Sequence, residues 1–179
     1  MQLQLYQAYT YLVANATTIK YSYTMNKVPT EKTQTAWIQL IKAQQLLIND
    51  IESKLKIAKL PPLAWYDVLL ELSRDPENGI RQYEIGERIL LNKHNLSRLI
   101  DRLEKERLLK REACNIDGRG NVIMITKKGL ALKQKIWPIY ADAIEFLIAK
   151  PLTDIQVKLL SELLSDLIAN VAPVLKKNY

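Results

Sequence analysis

Residues 93–105 read Lys93-His94-Asn95-Leu96-Ser97-Arg98-Leu99-Ile100-Asp101-Arg102-Leu103-Glu104-Lys105, and the spacing of their apolar positions decides the fold. Leu96, Leu99, Ile100 and Leu103 fall at i, i+3, i+4 and i+7, which is one core-facing stripe of a helix. The opposite face collects His94, Ser97, Arg98, Asp101 and Lys105, with Lys93 and Asn95 near its start. Asn92 stands where an N-cap is expected. From Arg88 to Arg111 eight lysines and arginines face three acidic residues, so most of the chain's excess charge of +7 lies here. Such a face is either a solvated surface or a surface for a polyanion.

Immediately downstream the period changes from helical to alternating. Leu108 to Ala113 and Asn121 to Ile125 read as short strands. Between them Asn115-Ile116-Asp117-Gly118-Arg119-Gly120 has the composition of a turn. Upstream, a short helix is expected over Gln82 to Leu90, with Ile85, Ile89 and Leu90 inward. Before it come the turn Asp75-Pro76-Glu77-Asn78-Gly79 and a helix from Leu63 to Ser73. Pro61-Pro62 end an earlier helix, Thr30 to Ala58, whose stripe includes Trp37, Leu40, Ile41, Ile48, Ile51 and Leu55. Beyond the hairpin, Thr126 can cap a long helix from Lys127 to about Ala149, bent at Pro138. Thr153-Asp154-Ile155-Gln156 is a capping box opening a last helix to about Val171.

Two short helices followed by a basic hairpin describe a winged helix-turn-helix in a mainly α chain. The long outer helices exceed what so small a lobe needs for its own core, which points to a homodimer. The expected organisation is a loose extension over 1–24, an N-terminal dimerisation helix over 25–60, the winged helix-turn-helix over 61–126, and C-terminal dimerisation helices over 127–179. The first 24 residues hold five of the nine tyrosines and one charge, Lys20, without a helical period. An arm on a partner subunit, or sequence upstream of a start at Met25, are the other readings of that segment.

Composition narrows the function. With 48% apolar and 25% charged residues over 179 positions, the chain builds an ordinary core, and its pI near 9.4 favours a polyanionic partner. No apolar run approaches the roughly 20 residues that span a bilayer, and the start does not read as a signal peptide. One cysteine (Cys114) and one histidine (His94) leave no intramolecular disulfide and no protein-only zinc cage. A cytoplasmic protein without metal or cofactor is expected, and not an enzyme, since no catalytic constellation is present.

The segments Leu99-Ile100-Asp101-Arg102-Leu103-Glu104-Lys105, Leu108-Leu109-Lys110-Arg111, Asp117-Gly118-Arg119-Gly120 and Ile125-Thr126-Lys127-Lys128-Gly129 together resemble the MarR family of regulators. The resemblance is specific from Gln82 to Gly129 and extends in architecture over about Thr30 to Val171. It implies a homodimer held by the first and last helices, on double-stranded DNA. The helix at 93–105 would read the major groove through Lys93, His94, Asn95, Ser97, Arg98, Arg102 and Lys105. Arg119 would reach the minor groove, with Asp117 bracing the wing. Arg102 is a candidate partner of Asp117, or else a surface partner of Asp101 or Glu106. The sequence departs from the family at Arg107, where a glycine is usual just after this helix. A left-handed arginine is strained by roughly 1 kcal/mol, so a remodelled turn is expected. The wing is also poor in proline and positive charge.

Many relatives of that family bind small, often phenolic, anions between the DNA-binding lobe and the dimer helices. Trp37, Trp65, Tyr66, Trp137 and Tyr140 are the candidate lining for a small aromatic ligand, and ordinary core aromatics otherwise. Cys114 is a structural thiol, or a redox sensor whose pKa Arg111 would lower. Two other functions compete with a transcription regulator: a winged-helix module that docks protein and never meets DNA, and the dimerisation lobe of an enzyme. The basic helix face and Arg119 speak against the first, and the chain's end at Tyr179 against the second.

Overall fold

The computed structural model describes residues 28–89, 93–113 and 121–177. The extension over 1–24, Leu90, the Asn92 cap, Cys114, Asp117 and Arg119 lie outside the described residues. The elements in chain order are α1 (Glu31–Ile57), α2 (Leu63–Leu72), β1 (Ile80–Arg81), α3 (Gln82–Ile89), α4 (Lys93–Lys105), β2 (Leu109–Ala113), β3 (Asn121–Ile125), α5 (Lys127–Ile144) and α6 (Asp154–Lys177). The chain divides into two units, residues 1–42 and 43–179.

In the first unit the described residues are the opening of α1. Thr30 Oγ1 accepts from the Thr33 backbone N–H at 3.2 Å, which supplies one of the first turn's missing acceptors. Trp37 and Ile38 are 64% and 59% exposed on this segment.

In the second unit α2 is apolar on two sides and serves two cores. Val68, Leu69 and Leu72 pack with Ile85 of α3, Leu96, Ile100 and Leu103 of α4, and Ile80, Leu109, Ile123 and Ile125 of the sheet. Leu63 and Tyr66 pack instead with Ile51 and Leu55 of α1 and Ile136 and Ala143 of α5. Pro62 offers α2 no side-chain cap, so Glu52 of α1 takes that part, its Oε1 accepting from the Leu63 N–H at 3.0 Å. The sheet is antiparallel in the order β1-β3-β2, with Ile80 opposite Ile123 and Leu109 opposite Ile125.

β1 is two residues long and carries no period of its own, so the sequence offered nothing to read there. It forms because Gly79, at φ +70°, brings the backbone against β3; a Cβ at Gly79 would lie 2.8 Å from the Ile123 carbonyl oxygen. Helix ends fall within one or two residues of expectation, with two exceptions. The α-helical part of α5 runs through Pro138 and stops at Ile144, and Glu145–Ala149 continues as a π-helical turn before Pro151. There Phe146 has the ammonium groups of Lys54 and Lys150 at 5.0 and 5.3 Å from its ring centre. α6 runs on through Pro173 to Lys177 rather than ending near Val171. The Thr153 capping box forms as expected, Thr153 N–H donating to Gln156 Oε1 at 2.9 Å and Gln156 N–H to Thr153 Oγ1 at 3.4 Å.

The turn after α4 is not remodelled. Arg107 takes φ +59° with its side chain exposed. Its N–H donates to the Glu104 carbonyl at 2.8 Å and the Leu108 N–H to the Leu103 carbonyl at 2.9 Å. These are the two bonds of a Schellman cap, and they hold the left-handed residue in place despite its Cβ.

Candidate nucleic-acid interface

α3 and α4 form the helix-turn-helix, and each is set by local chemistry. At the start of α3, Glu84 Oε2 accepts from the Arg81 N–H at 3.0 Å, one half of a capping box. α4 buries Leu96, Ile100 and Leu103 to 2% exposure or less, so the remaining face turns to solvent. His94, Asn95, Arg98, Arg102 and Lys105 are all exposed on it, and Ser97 is half-buried. Lys93 opens the helix, its side chain lying outside the described set. The helix therefore brings His94, Asn95, Arg98, Arg102 and Lys105 onto its exposed face.

Sequence reasoning missed the group that sets the charge of this surface. Arg111, on β2, reaches back to α4: its Nη2 lies 2.6 Å from Asp101 Oδ1 and its Nη1 pairs with Glu104 Oε2. Both α4 carboxylates are thereby matched to one half-buried guanidinium, and the cations of the outward face dominate the field. In the sequence Arg111 stands out as a neighbour of Cys114. Arg111 lies on β2, beyond the end of α4, so no helical spacing joins it to Asp101 and Glu104 and only the chain reversal between α4 and β2 reveals the pairing.

The candidate ligand aromatics separate. Tyr66, Trp137 and Tyr140 cluster, with ring centres 6.2 Å apart for Tyr66–Trp137, 5.2 Å for Tyr66–Tyr140 and 6.2 Å for Trp137–Tyr140. Beside them is a cavity of about 500 Å³ lined by Tyr66, Leu70, Lys133, Gln134 and Trp137. Lys133, half-buried, donates from Nζ to Ser73 Oγ at 2.8 Å and is the one charged side chain in that lining, beside Tyr66, Leu70, Trp137 and the amide of Gln134. Trp65 packs against the other core, the one that contains Val68 and Ile85. Trp37 stands exposed in the first unit. Lys133 and Gln134 were legible in principle, being one turn before Trp137 on the same helix face.

Asp67, next to Tyr66 on α2, carries a carboxylate with a perturbed pKa. Burial pushes the Asp67 pKa up to about 6, and the charges of Glu52 and Glu71 add to the shift. Burial likewise raises the Tyr66 and Tyr140 phenols, with Asp67 contributing to both. Because its folded pKa lies above the ordinary 3.8, Asp67 favours the fold only when protonated. That stabilisation is complete below about pH 4 and is lost as pH rises through about 6. Asp67→Asn keeps the neutral form at all pH values. It is expected to raise stability by about 1–2 kcal/mol at pH 8, after discounting for solvent screening, and by little at pH 4. Urea unfolding at both pH values checks this; a variant less stable than the parent at pH 8 would refute it.

Among the described residues no helix is long and apolar enough to cross a membrane, and no group of three His, Cys, Asp or Glu is placed to hold a metal ion.

Comparison with known proteins agrees with this geometry. A sequence model described as the MarR family matches residues 60–120. The chain is 30% identical over 135 residues to the HTH-type transcriptional regulator MhqR of Bacillus subtilis, covering 75% of this chain and 90% of that one. Among solved structures it is similar to Sco3205, a MarR family transcriptional regulator from Streptomyces coelicolor, determined in complex with DNA. The identity there is 26%, the TM-score 0.75, and the match covers 82% of this chain and 92% of that one. AbsC, a MarR family regulator of the same organism, matches at 25% identity and TM-score 0.71 over 85% and 99% of the two chains. With α4 presenting its cations beside a two-stranded wing and the regulator MhqR aligned along most of its length, this chain belongs to the MarR family of winged helix-turn-helix transcriptional regulators.

Proposed function

We propose that the protein binds duplex DNA as a homodimer on an imperfect palindrome and regulates transcription in the cytoplasm, without enzymatic activity. The outward face of α4 carries the reading: Arg98, Arg102 and Lys105 stand exposed while Arg111 matches the nearby carboxylates. Lys93, His94, Asn95 and Ser97 complete the contact, and Arg119 with Asp117 supplies the wing. Arginine, lysine, serine and asparagine side chains are the common donors to phosphates and base edges.

The segments 25–60 and 127–179 supply the dimer interface, leaving 61–126 as the DNA-binding lobe. Support comes from apolar side chains left in solvent, including Trp37 at 64% on α1 and Ile155 at 80%, Leu163 at 58% and Ile168 at 64% on α6. A monomer rarely exposes so much apolar surface in contiguous stripes. The cavity beside Tyr66 and Trp137 takes a small aromatic anion, with Lys133 as its cation. Light scattering is expected to give a dimer at micromolar concentration. Footprinting is expected to protect two half-sites whose centres lie about one helical turn, roughly 10 bp, apart. A monomer protecting one asymmetric site would refute the reading.

A further inference from the structure

Three successive carbonyls, those of Glu106, Arg107 and Leu108, follow the end of α4. All three are taken by the opening turn of α5. Lys128 Nζ donates to the Glu106 carbonyl at 2.7 Å. Thr126 Oγ1 lies 2.8 Å from the Arg107 carbonyl and 3.0 Å from that of Leu108, and the Thr126 N–H donates to the Leu108 carbonyl at 3.0 Å. The same hydroxyl accepts from the Gly129 N–H at 3.1 Å, which caps α5. Gly129 closes the contact sterically: a Cβ there would lie 2.1 Å from the Leu108 carbonyl oxygen.

Lys128 is an unexpected residue for its position. A cation in the first turn of a helix opposes the helix dipole, and α5 has Lys127 and Lys128 there with no acid. Its ammonium instead meets the C-terminal end of α4, where carbonyls are exposed and a cation is favoured. The turn it meets is the strained one, with Arg107 at φ +59° in place of a residue without a side chain.

We propose that Lys128 and Thr126 are positioning residues for DNA reading: they hold the last turn of α4 on the first turn of α5, so that the two helices move as one body. A displacement of α5, which carries Lys133 and Trp137 on its next turns, then reaches the base-reading face without passing through the core of the lobe. The proposal rests on the reading that α4 contacts DNA, but its first test does not use DNA.

Amide exchange of the full-length protein is expected to show the same opening free energy at Leu108 and at Leu130, because they belong to one cooperative unit. Lys128→Met is expected to speed exchange at 106–108 while leaving 68–72 in the core of α2 unchanged, and Lys128→Arg to restore it. On a duplex recovered by in vitro selection, Lys128→Met is expected to lose roughly fivefold in affinity, the worth of one hydrogen bond, with an unchanged salt slope. Unaltered exchange at 106–108 would overturn the proposal. So would unaltered exchange with a shallower salt slope, since Lys128 would then be a phosphate contact. Faster exchange in a protein for which selection recovers no duplex would uphold the helix coupling and refute the DNA reading instead.

Discussion

Arg98→Ala is expected to weaken binding to the operator by roughly 10- to 100-fold while changing affinity for scrambled duplex by no more than about twofold, as loss of one bidentate base contact would do. Arg98 is exposed on α4, on the side opposite Leu96, Ile100 and Leu103, and these three leaves of the core fix the helix that carries it. A guanidinium there has two parallel donors for a guanine edge, and that pairing carries sequence information. Arg119→Ala, at the wing, is expected to weaken both duplexes, with a shallower salt dependence, because a minor-groove arginine reads groove width and potential. Titration of each variant on both duplexes at several salt concentrations decides the matter. If both variants bind like the parent, the helix face is only a solvated surface and the protein-docking function takes its place.

Arg111→Ala is expected to be as damaging for a different reason. It leaves Asp101 and Glu104 without their guanidinium, and two carboxylates then face the phosphates from the recognition helix. Affinity for operator and scrambled DNA alike is expected to fall by about tenfold or more, since repulsion of phosphate charge does not depend on sequence. Stability is expected to fall by about 1 kcal/mol, because the pair joins α4 to β2 at a half-buried site. Arg111→Lys is expected to recover part of the loss, as a single ammonium cannot fork to two carboxylates. The triple variant Arg111→Ala, Asp101→Asn, Glu104→Gln separates charge from structure. It is expected to bind non-specific DNA nearly as the parent does, and continued weak binding would show that Arg111 acts through the position of β2 instead.

The two variants also divide the interface into parts that differ in how they could be found. Arg98 was legible because its place follows from one helical period counted from Leu96. Arg111 was not, because its partners belong to another element. The same division holds inside α2, where Trp65 and Tyr66 are neighbours in sequence yet enter different cores. The rotation of about 100° between consecutive helical residues turns the two toward different neighbours, so they do not share one pocket. Lys133 does not stand out in the sequence as a pocket residue, because a lysine on a long helix reads as solvated until the neighbouring helix is in place.

What the sequence determined by itself was the order and type of nearly every element. Alternation marked β3 at Asn121–Ile125, and the capping residues Thr126 and Thr153 stood at the starts of the last two long helices. Periodicity and cap chemistry act within a few residues, so one sequence carries them in full. Only the tertiary structure decided β1, the Arg111 clamp, the aromatic cluster at Tyr66, Trp137 and Tyr140, and the survival of a left-handed Arg107. Each depends on groups that chain reversal brings together. Arg107 keeps φ +59° because two Schellman bonds and the hydroxyl of Thr126, 19 residues away, hold its backbone against roughly 1 kcal/mol of local strain.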